Sequence, residues 1–322
     1  MTNLSELNSS YDYNKSYFHE SYYDDYYISE LSFNITEIVL SLSGLVLNTS
    51  LIFVLILLEG SLKTHLKFVM SLAISDFLIA LLQFVSVFYD IPMVVKTYGI
   101  LSSPSFIRVA FALLYVMAQY AGLGTMLAIS VDILIKIRKP LRYKILMSKR
   151  RGNIIIICLW FLTPVAFICI SFSLLPFILD HSVDLAVPLV ALFLASGLFF
   201  ALCVLCFIVF IILYILIICS IRNFANRCVS RRRTSIKKAA VTFLFVLLTY
   251  VICLLPMIWL LVPILVFRGS HSHLLVRLVT SLYIVNTVCD PIIYTLRIPE
   301  IRAKYWTIYR KMCQRGHSES AV

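Results

Sequence analysis

Asn48, Asp76, Asn286 and Asp290 are polar or acidic side chains set singly into apolar runs. A carboxylate or amide surrounded by hydrocarbon is costly unless it meets a polar partner, so such residues converge where helices face one another. One reading is plain interhelical hydrogen-bond glue. Two carboxylates at bilayer depth exceed what glue requires, and the favoured reading is a functional polar core. Read as catalysts, Asp76 and Asp290 would form an intramembrane aspartyl pair. Cys203 and Cys206 have a C-x-x-C spacing but lie among Leu and Phe, where small apolar packing outweighs metal binding. No cofactor is expected.

The elements that must position these residues are long apolar segments. Residues 106–138 form the central one, apolar at first and then running through Ala128-Ile129-Ser130-Val131-Asp132 into cations. A bilayer core of about 30 Å needs about 20 apolar residues in a helix, so this stretch spans and still projects its charged end into water. Tyr115, Gln119, Tyr120, Thr125 and Ser130 then face other helices. Further apolar runs cover 35–58, 68–95, 154–179, 186–221, 239–267 and 274–296, giving seven spans in an all-α membrane bundle. Pro164, Pro256 and Pro291 would bend their helices and free carbonyls for the core. A composition of 61% hydrophobic residues and a mean hydropathy of +0.95 agree. The expected organisation is an extracellular tail over 1–34, a bundle over 35–298, an amphipathic surface helix over 299–313 and a cytoplasmic tail over 314–322.

A net charge of +12 in a soluble protein would suggest nucleic acid. Here the placement of the cations decides otherwise. All Lys and Arg except Lys15, Lys96, Arg108, Arg268 and Arg277 lie at the gaps after the first, third and fifth spans or beyond the seventh. Cationic loops stay inside, which sets the amino terminus outside and the carboxyl terminus in the cytoplasm, and no nucleic acid is implied. Every cysteine falls in a span or on the cytoplasmic side, leaving no extracellular disulfide.

The first thirty residues mix tyrosines with Asp12, Glu20, Asp24, Asp25 and Glu30 without apolar period, as a disordered acidic tail does. They lack the pattern of a cleaved signal peptide, so the first span should direct insertion. Asn3, Asn8, Asn14 and Asn34 head glycosylation sequons, the last close to the bilayer. Tyrosines beside acids suggest either sulfation, making an anionic bait for a basic ligand, or a merely solvated tail.

Read in order, Gly44-Leu45-Val46-Leu47-Asn48, Ser71-Leu72-Ala73-Ile74-Ser75-Asp76, Trp160, Cys253-Leu254-Leu255-Pro256 and Asp290-Pro291-Ile292-Ile293-Tyr294 stand one per span. This ordered set resembles the rhodopsin-like G-protein-coupled receptors, over about 35–313. The resemblance implies a ligand cavity on the outer side, a cytoplasmic crevice for a heterotrimeric G protein at Asp132, Ile133 and Leu134, and a conformational equilibrium biased by ligand. It implies a polar core and switch of Asn48, Asp76, Asn286, Asp290, Tyr294, Tyr214 and Pro256, in which Asp76 and Asp290 would hold sodium or water. Gly122 stands where the family's helix-three Ser would add a sodium ligand. Tyr115, Gln119, Arg108, Trp259 and Arg277 are the ligand-cavity candidates.

The chain departs from the family in specific places. Asp132-Ile133-Leu134 replaces Asp-Arg-Tyr, Leu254 replaces the toggle Trp, and Cys206 stands at the helix-five Pro. The short Cys-free loop over 180–187 and the Asp-Pro form are similar to the melanocortin receptors, whose acidic ligand positions appear here as Ser86, Arg108 and Ala112. Tyr115 stands where amine receptors carry Asp, and Ile284 where opsins carry the retinal Lys, so neither ligand is favoured. A peptide or lipid is. Lys96, Arg108, Arg268 and Arg277 at the outer mouth would either receive an anion or snorkel to the interface.

Beyond the seventh span, Ile301, Tyr305, Trp306, Ile308, Tyr309 and Met312 alternate with cations, as in a helix lying on anionic lipid. Cys313 is a candidate for palmitoylation, Ser235 after Arg232-Arg233 for phosphorylation, and the end Ser320-Ala321-Val322 for a PDZ scaffold. The rival readings are a non-signalling scavenger receptor, motivated by Ile133, and a membrane transporter or channel, for which repeats and broken helices are lacking. The expectation is a non-enzymatic, multi-pass plasma-membrane receptor.

Overall fold

The computed structural model describes residues 31–58, 63–90, 105–161, 204–222, parts of 241–253, and 273–319. Among these residues there are helices and turns and no strand. In chain order they are α1 (Leu31–Ile56), α2 (Thr64–Asp90), α3 (Ser105–Arg138), α4 (149–161), α5 (Val204–Arg222), α6 (Leu244–Cys253), α7 (His273–Arg297) and α8 (Pro299–Glu319). One four-residue helical turn, Tyr143–Leu146, lies between α3 and α4. The distal part of the fourth span and the proximal part of the fifth lie outside the described residues.

Five of these helices contain stretches long and apolar enough to cross a membrane: Leu31–Ile56, Thr64–Val87, Met117–Arg138, Val204–Arg222 and Arg277–Arg297. The central helix runs over 34 residues, about 51 Å at 1.5 Å per residue, and so overshoots the hydrocarbon. Lys136 and Arg138 occupy its last turn, where cations complement the negative end of the helix dipole. Helix α7 keeps Pro291 in its interior.

Unlike in a water-soluble protein, apolar side chains lie on the outside of the bundle as well as in its core. On α1, Val46 and Phe53 are 60% and 55% exposed while Asn48 is completely covered. Apolar side chains can face lipid at no cost, whereas a polar one cannot, so the amide turns inward and the aliphatics outward. Small residues let the helices approach. A Cβ on Gly44 would meet Thr287 Oγ1 at 2.8 Å and Ala80 Cβ at 3.2 Å, so α1 sits against both α2 and α7 only because position 44 has no side chain.

The end of the bundle rich in Lys and Arg is tied by polar contacts. Thr64 Oγ1 donates to the Met147 carbonyl at 3.0 Å, and Lys67 Nζ to Asn153 Oδ1 at 2.7 Å. Helix α8 is seated by the fully buried Ile301, by a bond of 2.9 Å between Ser50 Oγ and Tyr305 Oη, and by the Lys63–Glu300 ion pair at 2.9 Å. It extends to Glu319, six residues past the end suggested by the apolar alternation, while Trp306, Tyr309 and Met312 remain exposed, as on a helix whose apolar face meets lipid.

A buried polar core between two polar ends

The core is built from buried residues on three helices. Asn48, on α1, donates through Nδ2 to the carbonyl of Gly44 at 2.9 Å and to that of Thr287, on α7, at 2.8 Å. The second bond ties α1 to α7 at the level where Gly44 lets them meet. Asp76 on α2 and Asn286, Asp290 and Tyr294 on α7 are all buried. Asp76, Asp290 and Tyr294 lie within one another's electrostatic reach. Five buried oxygens here have no donor: Asn48 Oδ1, Asp76 Oδ2, Asn286 Oδ1 and both carboxylate oxygens of Asp290. A cluster of acceptors without donors calls for a proton, water or a cation, since unpaired buried acceptors are rare and costly.

These oxygens are hard ligands and suit a cation such as sodium. Ser75 Oγ occupies the space beside Gly122, where an added Cβ would meet it at 3.0 Å; its proton is donated to the Leu72 carbonyl at 2.7 Å. The room for a side chain at Gly122 is therefore filled from α2. No group of three or more His, Cys, Asp or Glu stands together among the described residues, so the core offers no set for a transition metal.

A second polar chain, which sequence reasoning missed, crosses from α4 to α3. Thr125 Oγ1 donates to the Ala121 carbonyl at 2.7 Å, so the 3.1 Å bond between Ser71 and Thr125 must have Ser71 as donor. Ser71 Oγ in turn accepts from Trp160 Nε1 at 3.0 Å. Each hydroxyl is thus used once as donor and once as acceptor, which fixes the order α4 to α2 to α3.

At the basic end, Asp132 is 1% exposed; its Oδ1 accepts from Tyr143 Oη at 2.8 Å, and its Oδ2 has no partner. Burial, followed by the Asp132 charge, pushes the Tyr143 hydroxyl above its ordinary pKa, so it stays a donor. Lys136 Nζ lies 5.1 Å from the Tyr143 ring centroid. Ile133 is 8% exposed and joins an apolar cluster with Ile137, Met147, Ile217, Val246 and Tyr294. Leu134 and Tyr214 are half-buried against the same cluster. Two cationic contacts span the rim: Arg138 Nε donates to Ser220 Oγ on α5 at 3.0 Å, and the Arg297 guanidinium stands 4.5 Å from the Phe245 ring centroid.

At the opposite end Arg277 does not simply snorkel. Its Nη1 pairs with Glu37 Oε2 at 3.2 Å, and Gln83 Nε2 donates to the same oxygen at 3.3 Å. Tyr115 is hydrogen-bonded to Gln119 and its ring lies 6.4 Å from that of Tyr283, tilted by 57°. Glu37 was not among the expected site residues. Its signal, a lone acid in an apolar run, is the one that marked Asp76. Arg108 stands on the first turns of α3. Asn34 is half-buried in the first turn of α1, and the hydroxyl of its sequon Thr36 donates to the Ser32 carbonyl at 2.8 Å, so this sequon is folded into helix. Cys313 is exposed on α8. Asn3, Asn8, Asn14, Pro256, Trp259, Ser235, Ser320 and Val322 lie outside the described residues.

These features define a class. The family of seven-transmembrane receptors (rhodopsin family) matches residues 48–294, and the chain belongs to it: a helical, multi-pass receptor of the plasma membrane with a seven-helix bundle. It is similar to melanocortin receptor 5 of Mus musculus, 26% identical over 203 residues that make 60% of this chain and 59% of that protein. It is similar to the same degree to melanocortin receptor 5 of Rattus norvegicus, over 202 residues. The chain spans 59% of the length of these curated relatives.

Proposed function

We propose that this chain is a receptor without enzymatic activity that binds an extracellular peptide or lipid at the Glu37 end and signals through a heterotrimeric G protein at the basic end. Its amino terminus is outside and its carboxyl terminus cytoplasmic. The observation that carries this reading is the acceptor-rich core between the two ends, five buried oxygens without donors on α1, α2 and α7. Such a core cannot be at rest in one arrangement for every state of charge. Asn48, Asp76, Asn286 and Asp290 would hold sodium or water, and a bound cation would offset the two carboxylates. Its loss leaves the helices free to rearrange, and a ligand that prefers one arrangement shifts the population by its differential affinity. The likeness to melanocortin receptors supports the receptor class, and the ligand of those proteins is not carried over.

The absent helix-three Arg bears on coupling. Ile133 closes the crevice with an aliphatic side chain, while Asp132 Oδ2 beside it stays without a partner. We expect Ile133→Arg to place a guanidinium next to that oxygen and to raise basal nucleotide exchange about tenfold or less, the scale of one charge-assisted bond. An exchange assay across the G-protein classes, at matched surface expression, measures it; identical rates for wild type and variant contradict a role for the missing Arg. The burial of Ile133 also favours a second reading, a receptor that removes ligand without coupling. That reading predicts ligand uptake with no exchange on any G protein for the wild type.

A further inference from the structure

The Glu37–Arg277 pair joins α1 to α7 at the end read above as the ligand side, and its two halves are not equally accessible. The Glu37 side chain is 0% exposed and that of Arg277 is 15% exposed. Glu37 is held on α1, takes a second donor from Gln83 on α2, and lies beneath the guanidinium of α7. A cation arriving from outside cannot reach the carboxylate without expelling Arg277. The part-exposed guanidinium is the half of the pair that an incoming ion meets first. A buried charge that loses its partner is strongly unfavourable, so Arg277 needs an anion in every state of the receptor. In this structure the anion is the receptor's own Glu37.

We infer that Arg277 is the anion-binding subsite of the ligand cavity, that Glu37 occupies it as a built-in competitor, and that the ligand is an amphiphile carrying a carboxylate or phosphate on an apolar chain. The apolar chain follows from the surroundings. Tyr115 lies within electrostatic reach of Glu37, and its ring packs with Ile79, Ala118 and Tyr283 in an apolar cluster of α2, α3 and α7. Apolar surface thus adjoins the ion pair on the inner side of the helices, and a hydrocarbon tail finds its contacts there. A guanidinium fork matches both carboxylate and phosphate oxygens in plane, which an ammonium does not. When the ligand's anion takes Glu37's place, the bonds joining α1 and α2 to α7 through Arg277 are exchanged for bonds to ligand. Ligand binding is thereby linked to the helix that carries Asn286, Asp290 and Tyr294. The inference rests on reading the Glu37 end as the ligand side.

The test uses the full-length receptor in nanodiscs, titrated with dodecanoate, dodecyl phosphate and, as the uncharged control, dodecanol, with binding read as a thermal shift. Both Glu37→Gln and Arg277→Gln keep a hydrogen-bonding amide of similar size. Glu37→Gln is expected to raise the affinity for at least one anion about tenfold, because the competing charge-assisted bond is gone. Arg277→Gln is expected to bring that anion down to the affinity of dodecanol, and dodecanol itself should bind all variants alike. The anion that responds more strongly identifies the headgroup. The double variant Glu37→Gln, Arg277→Gln holds an uncharged amide pair in place of the ion pair, and it too must lose the preference for anions, which keeps the test decisive if Arg277→Gln alone misfolds. Glu37→Gln leaving both anions no tighter than dodecanol would overturn the subsite. Nucleotide exchange on the same samples separates the two proposals: anion binding governed by Glu37 and Arg277 with no exchange overturns coupling and supports the subsite, while exchange without any anion preference does the reverse.

Discussion

Asp76 and Asp290 lie within electrostatic reach of one another, each with buried oxygen that finds no donor, and this makes their energetics interdependent. Like charges in a low-dielectric core repel, so removing either relieves a repulsion that the second removal cannot relieve again. The variants Asp76→Asn and Asp290→Asn should therefore change thermal stability non-additively, with a coupling of about 0.5–3 kcal/mol in a double-mutant cycle. Additivity within about 0.3 kcal/mol would show two independent sites. Both residues were legible in the sequence, because a carboxylate inside an apolar run has few uses that do not involve partners. Glu37 gives the same signal, but it falls two residues after the apolar run starting at Ile35, where a charge reads as cheaply solvated interface. What makes it a core residue is a guanidinium 240 positions away in the chain, and no local pattern reports that. Ile133 was legible as an absent Arg, while the apolar cluster that takes it in comes from four other elements.

At the scale of elements, α8 offers the clearest dependence on solution conditions. Burial tends to raise the Glu300 carboxyl, but the Lys63 hydrogen bond and charge, its own backbone amide and the nearby His65 outweigh it and hold the group below its ordinary range. A lowered folded pKa means a contribution present above the unfolded pKa and lost as pH falls through the folded one. The pair is half in solvent, with side chains 63% and 38% exposed, so its worth is at most about 1 kcal/mol. We expect Glu300→Gln to lower the midpoint of thermal unfolding slightly at pH 7. The gap should begin to shrink as pH falls below the ordinary Glu pKa of about 4.3 and close once pH is below the lowered folded value. A gap that persists there would show that something other than the charge of Glu300 seats α8. The existence of α8 was readable from the alternation of aromatic and aliphatic residues with cations. Its contact with α1 was not, because Ser50 looks like any hydroxyl in an apolar helix until Tyr305 is brought within 2.9 Å of it. The central helix was readable almost to the residue, since a largely apolar run over 106–138 ending in cations admits few other structures, and Ser105–Arg138 follows that run.

For the molecule as a whole, a partner can enter the basic end only if the rim opens. The rim is closed by the apolar cluster around Ile133, by Arg138 on Ser220, and by Arg297 over the Phe245 ring at 4.5 Å. The last contact joins α6 to α7, and a cation over an exposed ring is worth about 0.5–1 kcal/mol, small enough for a bound protein to displace. The central claim, a bundle that switches to admit a G protein, is therefore tested most directly by the distance across that seam. Spin labels at Val241→Cys and Leu296→Cys, in a background with the nine native cysteines changed to Ser or Ala, report it by double electron–electron resonance. With a nucleotide-free heterotrimer of the coupling class, the distance distribution should shift to longer values and return when a non-hydrolysable GTP analogue releases the G protein. One distribution, unchanged by every class of heterotrimer, would contradict the account.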